Sequence, residues 1–298
     1  MPTTRSLRAQ NAIYLLLGLM LAGGARAQPV PYDVTTETSA LAGVGVKVDV
    51  YRPLDNLAGG VAVLAHGFTR DRTRDRDLAR DLAQAGIVAI APDLPSIADY
   101  WSNGDAVIDV VGALERGAYG LPPTRSSRVV LIGTSAGGVA TVIAASKLPG
   151  LGGWIGLDPV DRSGTATRAA ARLTAPAVVL LGDPSVCNLF GSGRSIAQAV
   201  PTLVRTQRLR GASHCDFEGP TDNFCRTVCG RSSRGMDETV RRAAVTAALD
   251  LLRAMPDDSP LIESPPEALE YAPEHSPELS PDDAPADAPA DAPADAPH

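Results

Sequence analysis

Val129-Val130-Leu131-Ile132-Gly133-Thr134-Ser135-Ala136-Gly137-Gly138 runs from an apolar, β-branched segment into Gly-Thr-Ser-Ala-Gly, and a helical pattern from Val139 to Leu148 follows. A strand, a sharp turn and a helix in that order make a nucleophile elbow with Ser135 at its tip. The turn holds the serine in a strained backbone, so glycines are needed two residues to either side. A β-carbon at Gly133 or Gly137 would meet neighbouring backbone, and the serine oxygen would not stand clear of the sheet edge. The bare pattern also arises by chance in Gly- and Ser-containing loops. The strand before it and the helix after it are what give it meaning.

The other elements agree with this one. Val44 to Tyr51 alternates and predicts an antiparallel strand ahead of Arg52-Pro53. Gly60-Val-Ala-Val-Leu-Ala-His66 is a continuous apolar run, as a strand buried on both faces requires. Arg70 to Ala85 is charged, with Leu78 and Leu82 on one side and Gly86 as its stop, which predicts a half-exposed helix. Strands follow at Ile87–Ala91, Trp154–Asp158, Ala177–Gly182 and Leu203–Leu209, and helices at Asp105–Ala118 and Met236–Arg253. Strands alternating with helices of this length predict an α/β fold, a mostly parallel central sheet covered by helices on both faces. No insertion is long enough for a large lid.

The two ends of the chain have a different character. Arg5 and Arg8 precede an apolar stretch, Ala12 to Ala22, that is too short to span a bilayer, and Ala25-Arg26-Ala27 resembles a cleavage site. Residues 1–27 therefore predict a secretory signal peptide. No cysteine follows it to carry a lipid anchor. From residue 256 to His298 the chain turns mostly to Pro, Asp, Glu, Ala and Ser, closing in Asp-Ala-Pro-Ala repeats. Such a segment cannot bury enough apolar area to offset its ordering entropy, which predicts a disordered acidic tail. Much of the formal charge of −7 resides there, so the charge implies no acidic or basic partner. Residues 28–255 suit one catalytic domain with a sizeable core.

All four cysteines, Cys187, Cys215, Cys225 and Cys229, fall late in the chain. In an exported protein an even count predicts disulfides, and three pairings are available. Cys225 and Cys229, four apart, would share a helix face whose geometry rarely suits a direct bridge, which favours each pairing with Cys187 or Cys215. A metal site built from these thiols and His214 is the rival reading. It lacks paired Cys-x-x-Cys knuckles. No cofactor is called for.

An elbow serine needs a base, and the fold orders its triad Ser, acid, His along the chain. After Ser135 and before the tail the one histidine is His214, in a loop after the last predicted strand. It is the candidate general base. Two acids compete. Asp158 follows the strand Trp154-Ile-Gly-Leu, and Asp183 follows Val178 to Gly182. Both stand at carboxyl ends of parallel strands, where sites of this architecture gather. The loser of the two would be a turn residue, since Asp-Pro starts turns well. Asp216 reads as a loop-structuring residue. The oxyanion needs two backbone donors. Ala136 N–H follows the nucleophile, and Phe68 N–H in His66-Gly67-Phe68-Thr69 is the second candidate. His66 precedes the serine and reads as a support for that loop.

His66-Gly67-Phe68, Gly133-Thr-Ser-Ala-Gly-Gly138, Leu157-Asp-Pro-Val-Asp161 and the His214-Cys-Asp-Phe loop together resemble the α/β-hydrolase superfamily. Within it the chain is similar to the chlorophyllase-like and cutinase-like (polyester hydrolase) groups, over nearly all of residues 44–253. The elbow and His-Gly-Phe are superfamily-wide signals, and Leu-Asp-Pro-Val-Asp is narrower. The chlorophyllase-like resemblance implies Asp158 as the acid, whereas a cutinase-like pattern implies Asp183. One departure is Ala136, where plant chlorophyllases carry Arg or a similar residue, and a signal peptide does not suit chlorophyll as substrate. The resemblance implies an exported serine hydrolase of carboxylic esters acting on a small or lipophilic ester. No nucleic-acid partner and no integral membrane segment after signal removal are expected. A cysteine-type dienelactone hydrolase is disfavoured by Ser at the elbow, and a dehalogenase by the lack of Asp there. A peptidase or acyltransferase of the same fold, or a secreted binding module that has lost catalysis, are the competing functions.

Overall fold

The computed structural model describes residues 29–55, 60–230 and 235–255. The predicted signal peptide and the predicted acidic tail lie outside the described residues. Among the described residues eight strands form one sheet in the order β1-β2-β4-β3-β5-β6-β7-β8. They are β1 (Tyr32–Leu41), β2 (Val44–Pro53), β3 (Val61–Ala65), β4 (Val88–Pro92), β5 (Val129–Thr134), β6 (Gly153–Leu157), β7 (Ala177–Leu181) and β8 (Leu203–Arg208). The hairpin β1–β2 and the β2–β4 pair are antiparallel, and β4-β3-β5-β6-β7-β8 are parallel. The helices are α1 (Arg76–Gln84), α2 (Tyr100–Glu115), α3 (Ala136–Ala145), α4 (Thr165–Ala170), α5 (Gly193–Ala199), α6 (Asn223–Cys229) and α7 (Met236–Arg253). Among the described residues no helix is long and apolar enough to cross a membrane.

The apolar runs are continuous because the parallel strands are covered twice. In β5, Val129 and Leu131 join one hydrophobic cluster while Val130 and Ile132 join the other. The same alternation splits β3 into Val61 and Val63 on one face, Ala62 and Leu64 on the other. Leu78 and Leu82 of α1 and Ala244, Ala248 and Leu252 of α7 cover the second face. Val107, Val110 and Leu114 of α2 and Val142 and Ile143 of α3 cover the first. From Gly137 to Ala145 every residue of α3 is buried, so its lack of a polar face is required by its place beneath α2 and α4 rather than by chance.

The helix ends differ from the sequence expectation in instructive ways. The predicted 70–85 helix opens as a 3₁₀ turn, Arg72–Asp75, capped by Asp71, and α1 proper begins at Arg76. Helix α2 starts five residues before the predicted Asp105, because the Asp99 side chain accepts from Trp101 N–H and Ser102 N–H and nucleates it there. What matters for the site is the common polarity of the parallel strands. The chain leaves β3, β4, β5, β6, β7 and β8 at the same edge, so residues far apart in sequence meet there.

Candidate active site

Ser135 sits between β5 and α3 with φ 55° and ψ −116°, a backbone that side-chain-bearing residues rarely adopt. The glycines that flank it are dictated by contact. A Cβ at Gly133 would collide with the Thr141 hydroxyl and the Gly137 carbonyl, and one at Gly137 with the end of β3 at Ala65. The elbow is thus pressed against the start of the His66-Gly67-Phe68 loop. A Cβ on Gly67 would itself come 3.4 Å from Ser135 Cβ. Backbone bonds from Ser135 N–H to Leu157 O (3.0 Å) and from Val160 N–H to Ser135 O (3.2 Å) tie the same turn to the end of β6.

His214 begins a 3₁₀ turn, His214–Phe217, that follows β8. Its Nε2 lies 2.9 Å from Ser135 Oγ, and its Nδ1 lies 2.7 Å from Asp158 Oδ2. Because a carboxylate only accepts, Nδ1 carries the proton, and Nε2 is left to accept from the serine hydroxyl. Asp158 itself stands at the end of β6 with φ 42°, and it is buried. Its Oδ1 accepts from Gly182 N–H (3.0 Å), and its Oδ2 also accepts from Asn188 Nδ2 (3.0 Å). Ser135, His214 and Asp158 are therefore brought into one hydrogen-bonded chain. Asp183 is not. It is half-exposed and accepts from Arg208 (3.1 and 2.9 Å) and from Gly211 N–H (2.9 Å), so it braces the loop that leads to His214.

The remaining sequence candidates fall around this chain. Asp216 accepts from Ser213 N–H (2.7 Å) and Ser213 Oγ (3.1 Å), which caps the turn that presents His214. His66 is buried and faces away from proton transfer with Ser135. Leu94 N–H donates to its Nε2 (2.9 Å), so Nδ1 bears the hydrogen and donates to Gly67 O (3.0 Å). Burial holds its pKa below the usual histidine range, in keeping with a neutral ring. Ala136 is the first residue of α3, so its N–H has no partner within the helix. Phe68 lies one residue beyond Gly67, beside the elbow.

Two residues of the site escaped the sequence. Asn188 is fully buried. Besides Asp158, its Nδ2 reaches Asp183 O (2.9 Å), and its Oδ1 accepts from Ser185 N–H (2.8 Å) and Gly191 N–H (3.0 Å). One amide thus shapes the 185–191 loop and holds the acid. Glu218, just after the His214 turn, accepts from Arg70 Nε (2.9 Å), and Arg70 also meets Asp222 (3.1 Å). Gly219 N–H donates to Arg74 O (2.7 Å), and Asp77 N–H donates to Gly219 O (2.6 Å). The segment behind His214 is in this way stitched to the segment behind Phe68. Asn188 follows Cys187 in a loop with no repeating pattern, and Glu218 meets a partner 148 residues away, so neither had a local signal.

Beside Glu218 lies Asp75, buried, with an Oδ2 that no group among the described residues satisfies. Burial first, then the negative charges of Glu218 and Asp71, hold its carboxyl well above the usual range. A raised carboxyl pKa contributes stability below the unfolded value of about 4, and that contribution is lost as pH climbs through the folded value. Asp75→Asn keeps the shape and removes the titration. Its melting temperature should exceed that of the wild type at about pH 8 and converge with it towards about pH 4. A pH-independent difference between the two melting curves would show that Asp75 is not the titrating group.

The cysteines are all paired. Cys187 bonds Cys229, and Cys215 bonds Cys225. The first bridge fastens the loop of Asn188 to α6, and the second fastens the turn of His214 to the same helix. The sulfurs of Cys215, Cys225 and Cys229 lie within 4.8 Å of one another, but each is committed to a disulfide, and His214 is committed to Asp158 and Ser135. Reduction should therefore lower activity at temperatures where far-UV circular dichroism is unchanged. Loss of a native bridge typically costs about 2–5 kcal/mol. Thiol titration of denatured, unreduced protein should find no free thiol. Four reactive thiols would contradict the pairing.

The parallel sheet, the strained serine between β5 and α3, and loops converging at the strand ends define an α/β-hydrolase fold. A solved structure bears this out. The chain is similar to the crystal structure of dienelactone hydrolase from Anabaena variabilis ATCC 29413, with a TM-score of 0.58 at 18% sequence identity, over 72% of this chain and 96% of that chain. At that identity the likeness is one of fold. No family model matches the chain, and no curated protein matches it in sequence.

Proposed function

We propose that this chain is an exported serine hydrolase of carboxylic esters. The observation that carries the proposal is the unbroken sequence Ser135 Oγ, His214 Nε2, His214 Nδ1, Asp158 Oδ2, with links of 2.9 and 2.7 Å. In this reading Ser135 Oγ attacks the acyl carbon while His214 Nε2 takes its proton. Asp158 holds the ring in the required tautomer and stabilises the imidazolium that forms. The amides of Ala136 and Phe68 receive the developing oxyanion. His214 then returns the proton to the leaving alcohol, and water, activated by the same imidazole, releases the acyl group from Ser135.

Two features support this choice within the fold. The elbow bears serine, not the thiol or carboxylate that other chemistries of the fold use. Two disulfides beside the site suit an oxidising compartment, in agreement with the signal-like start of the sequence. The name of the solved neighbour is that of a hydrolase. The direct test is hydrolysis of p-nitrophenyl esters of graded chain length, together with covalent labelling by a fluorophosphonate probe. Turnover with label on Ser135 is expected. Neither turnover nor label would point to a binding module that has kept the fold and lost the reaction.

A further inference from the structure

The turn that carries Phe68 does not hold its shape by local preference. Arg70 N–H donates to Gly67 O (3.2 Å), which closes a four-residue turn and leaves Phe68 N–H outside the turn's own bond. Thr69, at the third position, has φ 57°. That left-handed backbone suits glycine and is costly for a β-branched residue, so it persists only where the surroundings impose it. Those surroundings converge on Glu218. A Cβ built on Gly67 would lie 3.4 Å from Ser135 Cβ, 3.6 Å from Glu218 Oε1 and 3.8 Å from Arg70 Cγ. Glu218 is therefore packed behind the turn and beside the elbow, and it follows His214 within the loop that the Cys215–Cys225 bridge closes.

The two carboxylate oxygens of this buried glutamate differ. Oε1 accepts from Arg70 Nε at 2.9 Å. Oε2 is buried and meets no donor among the described residues. The Oδ2 of Asp75 stands in the same condition. The bond from Gly219 N–H to Arg74 O (2.7 Å) sets the peptide after Glu218 against the peptide before Asp75, so the two side chains start from adjacent backbone. Either oxygen is costly to leave bare in the interior. One proton satisfies both, because a neutral Asp75 carboxyl can donate from Oδ2 to Glu218 Oε2. Burial and the charges of Glu218 and Asp71 favour that neutral form.

Resting on the ester-hydrolase reading, we propose that Glu218 is a positioning residue for the oxyanion donor: held by Arg70 at Oε1 and by the Asp75 carboxyl at Oε2, it fixes the turn that aims Phe68 N–H at the developing charge. It acts on the reaction through Gly67 and Arg70 and not by contact with the ester. Preorganised donors help by standing in place before the charge forms, so loosening them falls on kcat and not on binding of the ground state.

The test is steady-state hydrolysis of dissolved p-nitrophenyl butyrate by the full-length processed enzyme, beside inhibition by an alkyl trifluoromethyl ketone. The ketone carbonyl carbon bonds Ser135 Oγ, the hydroxyl proton passes to His214, and the oxyanion left on the ketone needs the same two amides. Glu218→Met keeps the bulk and removes both oxygens. Its kcat should fall by about tenfold or more, a part of the 10²–10³ that a deleted oxyanion donor costs. KM should stay within about twofold, and the ketone should bind more weakly by the same factor as the loss in kcat/KM. Glu218→Gln, which can still accept from Arg70 and bond to Asp75, should recover most of the loss. Asp75→Leu makes the same test from the other side of Glu218, and Asp75→Asn, which still donates, should recover it, so a variant that fails to fold leaves the second series to decide. A kcat within about twofold of wild type, a loss confined to KM, or a fall in kcat with unchanged affinity for the ketone would each overturn the inference. So would Gln and Asn variants as impaired as the Met and Leu ones. Absence of wild-type turnover on the dissolved ester would instead remove the ester-hydrolase reading on which it rests.

Discussion

Ser135→Ala should abolish hydrolysis of p-nitrophenyl esters and leave the protein folded. Loss of an activated nucleophile costs about 10⁴-fold or more in kcat. What remains is binding and oxyanion contact with no covalent route. The fold should survive because the hydroxyl makes one side-chain bond, to His214 Nε2, in an elbow that backbone bonds to Leu157 and Val160 already hold. Alanine also inherits the same φ of 55° without added strain. Ser135→Gly extends the test. Glycine occupies that conformation freely, and relief of about 1–3 kcal/mol of backbone strain should offset its extra unfolded-state entropy. The glycine variant should therefore melt above the alanine variant while being equally inactive. A serine position where activity and stability trade in this way is one built for chemistry. Ser135→Ala that keeps most of its activity would remove the serine mechanism.

Much of this arrangement was legible in the sequence, and the reasons are specific. Strands β3 to β7 are apolar on both faces, so burial by two helix layers wrote itself into continuous runs such as Val129–Ile132. The elbow was legible because its glycines are fixed by contacts that no side chain fits. Ser135 followed from the elbow, and His214 from chain order after it. Strand β1 was missed because Tyr32–Leu41 is an exposed edge strand of Thr, Glu and Ser, held by its register with β2 and not by an apolar pattern. Helices α4, α5 and α6 span only six or seven residues each, too few for a helical period to emerge. Asn188 and Glu218 act through partners distant in the chain. Their roles are made by the fold and have no local mark.

Asp158 and Asp183 posed the question the sequence left open, since both follow parallel strands and both precede proline. Their surroundings now differ enough to rank them by experiment. Asp158→Asn keeps the size of the side chain and replaces one accepting oxygen by an amide. His214 Nδ1–H then faces either a weaker acceptor or a donor, which turns the ring to the wrong tautomer, and Asn188 Nδ2 and Gly182 N–H compete for the oxygen that remains. A misoriented base of this kind costs on the order of 10⁴-fold in kcat. KM for a dissolved p-nitrophenyl ester should change little, because binding of substrate does not use the carboxylate. Asp183→Asn removes a half-exposed ion pair with Arg208, and such pairs contribute about 0–1 kcal/mol. It retains an oxygen for Gly211 N–H. Its kcat should fall by less than about tenfold, with the loss showing as a slightly lower melting temperature. The two variants, assayed side by side across pH, separate an acid that orients the base from one that braces its loop. The opposite ranking would transfer the orienting role to Asp183, although its oxygens are occupied by Arg208 and Gly211, and would require the loop after β8 to rearrange before His214 could meet it.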